Sequence, residues 1–392
     1  MREVQAGPST AVPNDRLLST DFVLVCSSNF LFWVTVYSFL VTLPVYSVVL
    51  GGSAGQAGLV TAAQTLVSFS TAPHAGRHVN RFGRTTFMRL GLGILLGLAI
   101  ALHFVSSLPL LVVVGGLSGV GVALFQSGSA TLVADLAPAH RRGEAMGIFG
   151  TFTTVAVALS SPISIFVMQN SGFSALFIMT GLLAAISLTL SLFQKEPPRR
   201  VAAARARFFN PRALLPGFGI FAISLTYGAF ISFLPGETPK MGLENAGLFF
   251  TVFAISSLLV RALSGTFSDR VGRLPVLLPA LLVAGIATAL LGLSNAPGML
   301  LGMAFLYGLG YGAAYPTAMA LAVDRGGQSE SASSMATFNA SYSLGIAVGS
   351  LGMGILLTAT SFGFMTAVAG VVPVLAMVAL YLGRSSPATS ER

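Results

Sequence analysis

Gly76-Arg77-His78-Val79-Asn80-Arg81-Phe82-Gly83-Arg84 returns 189 residues later as Gly265-Thr266-Phe267-Ser268-Asp269-Arg270-Val271-Gly272-Arg273. The offset is close to half the chain, and each copy sits between two long apolar segments. Other positions keep the same spacing. Ala57-Gly58-Leu59 matches Ala246-Gly247-Leu248, Gly119 and Gly121 match Gly308 and Gly310, and Asp135 matches Asp324. One unit has been duplicated within a single polypeptide.

Composition shows what kind of unit it is. The chain is 54% hydrophobic and 8% charged, against roughly 25% charged in a typical globular protein. Apolar runs of about 20 residues follow one another, each long enough to cross a hydrocarbon core about 30 Å thick. Twelve spans are predicted, at 22–48, 55–75, 86–106, 108–133, 145–168, 172–194, 214–236, 245–265, 275–294, 297–322, 333–357 and 361–383. Backbone in hydrocarbon must satisfy its own hydrogen bonds, so these spans are expected to be helices. The short alternating segments of a membrane β-barrel are not seen. The expected fold class is all-α integral membrane, with two six-helix halves related by a parallel repeat. Residues 1–194 form the first half, 195–213 a cytoplasmic linker opened by Lys195-Glu196-Pro197-Pro198-Arg199-Arg200, and 214–392 the second half.

A net charge of +9 suggests nucleic-acid binding only until the charges are placed. Twenty of the 21 Lys and Arg fall at termini, at span ends or in even-numbered connections; Arg261, Arg270 and Arg273 read as flanking one such connection. Odd-numbered connections hold only Lys240. Positive residues gather on the cytoplasmic side, so both termini are expected there, in a bacterial inner (plasma) membrane. The first twenty residues read as a short cytoplasmic tail, and span one is too long for the apolar core of a signal peptide. One cysteine, Cys26, excludes an intrachain disulfide. No metal-ligand cluster, nucleophile–base pair or phosphate loop appears, so neither cofactor, metal nor catalysis is expected. The partners expected are the lipid bilayer and a small organic substrate; nucleic acid is not one, and the chain is expected to be monomeric.

Gly-x-x-x-Asp-Arg-x-Gly-Arg on a short cytoplasmic connection resembles motif A of the major facilitator superfamily. Leu43-Pro44-Val45-Tyr46, closing helix 1, and Arg141-Arg142-Gly143-Glu144-Ala145-Met146-Gly147, opening helix 5, are similar to its drug/proton antiporter-like branch of multidrug, sugar and metabolite exporters. The resemblance implies alternating access by two rocking halves, with proton-coupled efflux as the family default. It also implies a conformational latch on Gly76, Asn80, Arg81, Gly83, Arg84 and on Gly265, Asp269, Arg270, Gly272, Arg273. The second copy is complete, whereas Asn80 stands where Asp269 stands in its repeat, leaving the first latch without its charge. Two departures bear on coupling. Gly115 occupies the usual helix-4 Arg position, and the helix-5 Gly-Pro motif is reduced to Ser160-Ser161-Pro162.

The resemblance further implies that helices 1, 4, 7 and 10 line a central cavity. Asn29, Trp33 and Tyr37 share a face at i, i+4 and i+8. Gln126 offers a paired-hydrogen-bond amide on helix 4. Tyr227 lies on helix 7, Tyr311 and Tyr315 form a stripe with Tyr307 on helix 10, Asn339 and Tyr342 lie on helix 11, and Gln64 on helix 2. Aromatic walls with few charges suit an amphipathic organic compound; equally, such groups tie helices together. All twelve acids lie at span ends or in connections. Asp21, Asp135 and Glu144 are the proton-relay candidates, with a salt-bridge cluster of Asp135 and Glu144 with Arg141 and Arg142 as the structural alternative. Proton-coupled efflux of a drug-like or metabolite substrate is therefore the expected function. A facilitator or uptake carrier without antiport is the second reading, and a non-transporting receptor on the same fold the third.

Overall fold

A computed structural model describes residues 19–138, 141–196, 210–326 and 330–383. Most of the 195–213 linker and the first eighteen residues lie outside the described residues. The rest is helical, with no strand among the described residues. The first half contains α1 (Thr20–Val49), α2 (Ala54–Phe82), α3 (Arg84–Ala101), α4 (Leu108–Leu136) and α5 (Arg142–Leu192). The second contains α6 (Leu214–Glu237), α7 (Ala246–Val271), α8 (Arg273–Leu291), α9 (Pro297–Gly326), α10 (Ser331–Ala359) and α11 (Phe362–Leu382). α5 is two helices in line: Gly172 has φ 76° and ψ 178° inside it. Its limbs, 142–171 and 173–192, correspond to α10 and α11, so the two halves carry the same series of segments. Nine of the described helices are long and apolar enough to cross a membrane. α2 and α9 are as long, but richer in small and polar residues.

Local chemistry fixes the ends. Ser53 and Gln56 form a capping box at the start of α2, satisfying two N–H groups that the helix leaves unpaired. Gly83 (φ 106°) and Gly272 (φ 98°) make the same sharp joint in each half, α2 to α3 and α7 to α8. A side chain there would be strained, so glycine is required. The repeated signature is thus not a connection. It occupies the last turns of α2 and α7, which run beyond the predicted ends at 75 and 265. Hydropathy marks where the hydrocarbon stops, whereas helical hydrogen bonds continue into water.

Each half packs its own core. One is built within residues 22–184, around Phe32, Phe125 and Leu176. The other is built mainly from α6–α11, with Tyr37, Leu40 and Val41 of α1 reaching into it. The halves meet where α2 packs on α10 and α5 on α7. At the end where α1 stops and α2 starts, this seam is tight. A Cβ on Gly58 would collide with the Ser350 carbonyl, and one on Gly354 would press on the Ala54 carbonyl. Ser232 bonds Thr61 at 3.3 Å and Ser350 at 3.1 Å, Gly55 N–H donates to Thr358 Oγ1 at 3.1 Å, and Gln169 Nε2 donates to the Glu244 carbonyl at 2.9 Å. At the opposite end Gly76, Gly147, Gly150 and Gly265 face open space. The seam is thus tight at the end where α2 starts, and a side chain on these four glycines at the signature end would meet no neighbour.

Candidate functional site

Aromatic side chains converge where α1, α6, α9 and α10 approach between the halves. Tyr311 lies with its ring centroid 5.2 Å from Tyr227 and 6.3 Å from Tyr315. Tyr315 stands perpendicular to Tyr342 at 5.5 Å, and the Tyr311 and Tyr342 hydroxyls hydrogen-bond at 3.2 Å. From the other half, the Tyr37 hydroxyl approaches Tyr342, and Trp33 lies 5.6 Å from Tyr37. Five of the residues read from sequence as lining a cavity, Tyr37, Tyr227, Tyr311, Tyr315 and Tyr342, therefore form one cluster, with Trp33 at its edge. Such rings give apolar area with polar tips. Tyr307, one turn away from Tyr311, is fully buried and bonds Thr226 at 2.9 Å, so it braces α9 on α6.

Four other cavity candidates, Asn29, Gln64, Gln126 and Asn339, are not among these ring contacts. Asn29 is fully buried; its Nδ2 donates to Thr153 Oγ1 at 2.8 Å, tying α1 to α5, and its Oδ1 has no partner. Gln64 is buried on α2 with Nε2 unpartnered. Gln126 and Asn339 are exposed. Gln126 is the repeat mate of Tyr315, one offset away.

Sequence reading missed the charge at this site. Arg261 does not flank a connection: α7 continues ten residues beyond it to Val271. At 1.5 Å per residue, Arg261 lies about 22 Å along the helix from its start, within the depth of the bilayer. Its guanidinium stands over the Tyr315 ring, 5.1 Å from the centroid, and Nη1 donates to Thr154 Oγ1 of the other half at 2.5 Å. Its Nε is buried without a partner. One signal was available: the repeat offset pairs Arg261 with Ala72, a charge against none.

The signature residues also bolt helix ends together within each half. Arg84 is fully buried and meets Asp135 at 2.7 Å, with Glu196 at 3.7 Å. Glu196 also accepts from the Arg84 and Thr85 backbone N–H groups at 2.8 and 2.9 Å and from Thr85 Oγ1 at 2.7 Å, capping α3 with an acid where its dipole favours one. Burial pushes the Glu196 carboxyl up, but the bonds from Thr85 and the Arg84 backbone, with the Arg84 charge, outweigh it and hold the group below the usual carboxylate range. In the second half Arg273 pairs with Asp269 and, at 3.0 Å, with Asp324. Arg81 and Arg270 are exposed, and the Asn80 side chain lies outside the described residues. A side chain on Gly76 or Gly265 would meet no neighbouring helix in this structure.

The proton-relay candidates all lie at helix ends. Asp135 meets Arg84, Arg141 holds Glu144 at 2.8 Å, and Asp21 accepts the Lys195 backbone N–H at 3.3 Å. Of the expected Asp135–Glu144 cluster with Arg141 and Arg142, the Arg142 side chain lies outside the described residues.

Two repeated halves, a tight seam at one end and a polar cluster between them are the parts of a carrier. The sequence profile of the Major Facilitator Superfamily matches residues 25–235 and 216–392. The chain belongs to this superfamily. It is a multi-pass membrane transporter with relatives among export proteins. It is 24% identical over 360 residues to the staphylopine export protein of Staphylococcus aureus, covering 86% of this chain and 89% of that one. It is 26% identical to the quinolone resistance protein NorA of the same species, over 54% of this chain and 60% of that one. Its fold matches a crystal structure of a point mutant of the nucleoside transporter NupG with a TM-score of 0.77 and 15% identity, covering 93% of this chain and all of the other.

Proposed function

We propose that this transporter exports a small amphipathic organic compound from a bacterial cell, by alternating access in the inner membrane, with both termini cytoplasmic and residues 195–213 linking the two halves. The carrying observation is the aromatic cluster between the halves, beneath a seam that is tight at one end; we read the end carrying the signature as the open one. Cytoplasmic termini place the open end inside, where an exporter loads. The signature residues serve as the latch that holds that end shut in the alternate state. Relatives that export staphylopine or confer quinolone resistance support the direction.

Proton antiport would run through Asp21, Asp135 or Glu144. A second reading, transport without antiport, is favoured by one observation: every described acid lies at a helix end or in a connection, whereas intramembrane coupling commonly uses acids within spans. Flux of a fluoroquinolone into proteoliposomes, with and without an imposed pH gradient, separates the two. Gradient-dependent accumulation supports antiport; equal flux in both conditions supports the facilitator; no flux in either counts against export of such compounds.

A further inference from the structure

We infer that Arg261 is the binding site for a carboxylate on the transported compound, so that the substrate class is small organic acids with an apolar body. This rests on the transport reading above and deepens it.

The argument begins with charge. Arg261 carries a permanent positive charge on α7, inside the membrane-spanning part of the helix. A charge within a spanning helix costs up to about 3 kcal/mol on insertion scales, less towards the helix end, and buried charges are normally paired. Here no described acid offsets it. Among the described residues, Asp135 and Glu196 meet Arg84, Glu144 meets Arg141, Glu237 meets Lys240, and Asp269 and Asp324 meet Arg273. Asp21 and Glu330 stand at helix starts, and Glu244 lies in the connection before α7. Arg261 is left with a neutral hydroxyl, Thr154, and a ring face, Tyr315.

The surroundings fit an anion. The guanidinium presents a planar fork of donors that matches a carboxylate in two parallel hydrogen bonds. Stacking on Tyr315 holds that plane in orientation, and cation–π attraction adds to it. Nε, one edge of the fork, is without a partner. Beside Tyr315 the hydroxyls of Tyr37, Tyr342 and Tyr311 bond one another in a chain, which leaves one O–H free to donate to an oxygen. Beyond them the rings supply apolar wall. Because Arg261 belongs to one half and Thr154 to the other, a bound anion would sit on the seam whose opening and closing moves substrate.

The test uses the full chain in liposomes and its one tryptophan, Trp33, which borders Tyr37. The probes are two matched pairs, benzoate with benzamide and 4-phenylbutyrate with 4-phenylbutyramide, followed by Trp33 fluorescence. At least one acid should give a saturable change, with its amide binding at least about tenfold more weakly. Arg261→Met should abolish this preference, so that acid and amide bind alike, while Arg261→Lys should retain part of it. Should the Met variant not fold, Arg261→Gln, a shorter neutral side chain that is still a donor, should lose the preference in the same way. Amides binding as tightly as acids, preference surviving in both neutral variants, or no saturable binding of either acid would each overturn the inference. Counterflow of the bound acid in the same liposomes separates this from the transport reading. Acid-selective binding without flux refutes transport of that acid and leaves the site standing; quinolone flux without acid preference refutes the site and leaves transport standing.

Discussion

Arg84 and Asp135 meet at 2.7 Å, and one repeat later Arg273 and Asp324 meet at 3.0 Å. In each half the last Arg of the signature thus bolts the start of one helix to the end of the next. The environments differ. The Arg84 side chain is 2% exposed, whereas those of Arg273 and Asp324 are 25% and 53% exposed. Removing one partner of a buried pair leaves an uncompensated charge and costs about 3–5 kcal/mol, whereas an exposed pair contributes about 0–1 kcal/mol. Asp135→Ala is therefore expected to lower the unfolding temperature of purified protein sharply, and Asp324→Ala only slightly. Equal losses in a thermal unfolding assay would show that the two bolts are equivalent.

Glu196 holds the same bolt from the linker side. Its folded-state value lies below the usual range, so its contribution is present above the unfolded value of about 4.3 and is lost as pH falls through the folded value. Glu196→Gln is expected to cost about 1–2 kcal/mol at neutral pH, in line with a lost helix cap. The gap between wild type and variant should narrow on acidification below about pH 4. Unfolding midpoints followed from neutral into acidic buffer check both the size and the direction.

The closed seam gives a conformational prediction. A Cβ on Gly58 would collide with the Ser350 carbonyl, and backbone cannot yield as a flexible side chain does. Gly58→Val should push α2 from α10 and raise accessibility at that end. A cysteine in place of Thr61, buried in the same seam, reports it by maleimide labelling, since the native Cys26 is buried. Labelling that stays at the wild-type rate would mean that the seam tolerates the added methyls elsewhere.

At the other end, Asn80→Asp restores the charge that the second copy carries at Asp269. An acid there can accept from Arg side chains and strengthen closure. Accessibility of cysteines placed at exposed positions beside Gly76 and Gly265 should fall, and transport should slow. Unchanged labelling at both positions would count against a latch role for this position.

Within the aromatic cluster, Tyr342→Phe removes the hydroxyl that meets Tyr311. Side-chain hydrogen bonds in membranes contribute about 0.6 kcal/mol on average, so the thermal midpoint should barely move. A large fall in proteoliposome flux at unchanged stability would mark the hydroxyl as part of the path, and a stability loss with intact flux would mark it as a brace.

Much of this molecule was legible in one dimension. The 189-residue offset, the lengths of the apolar runs and the signature in both halves determined the repeat, the helical class and the superfamily, because the membrane imposes length and backbone satisfaction on any chain that crosses it. The offset also linked Asp135 with Asp324 and Arg84 with Arg273, but that each Arg reaches its Asp depends on packing across 51 residues of chain. Tertiary structure alone decided the depth of Arg261. Hydropathy ended its span at 265, so the charge read as a flanking residue. The helix itself runs to Val271, and its rotation turns Arg261 onto Tyr315 and Thr154 rather than towards lipid. Sequence spacing records which residues share a face; which neighbour that face meets is set by how two separately packed halves come together.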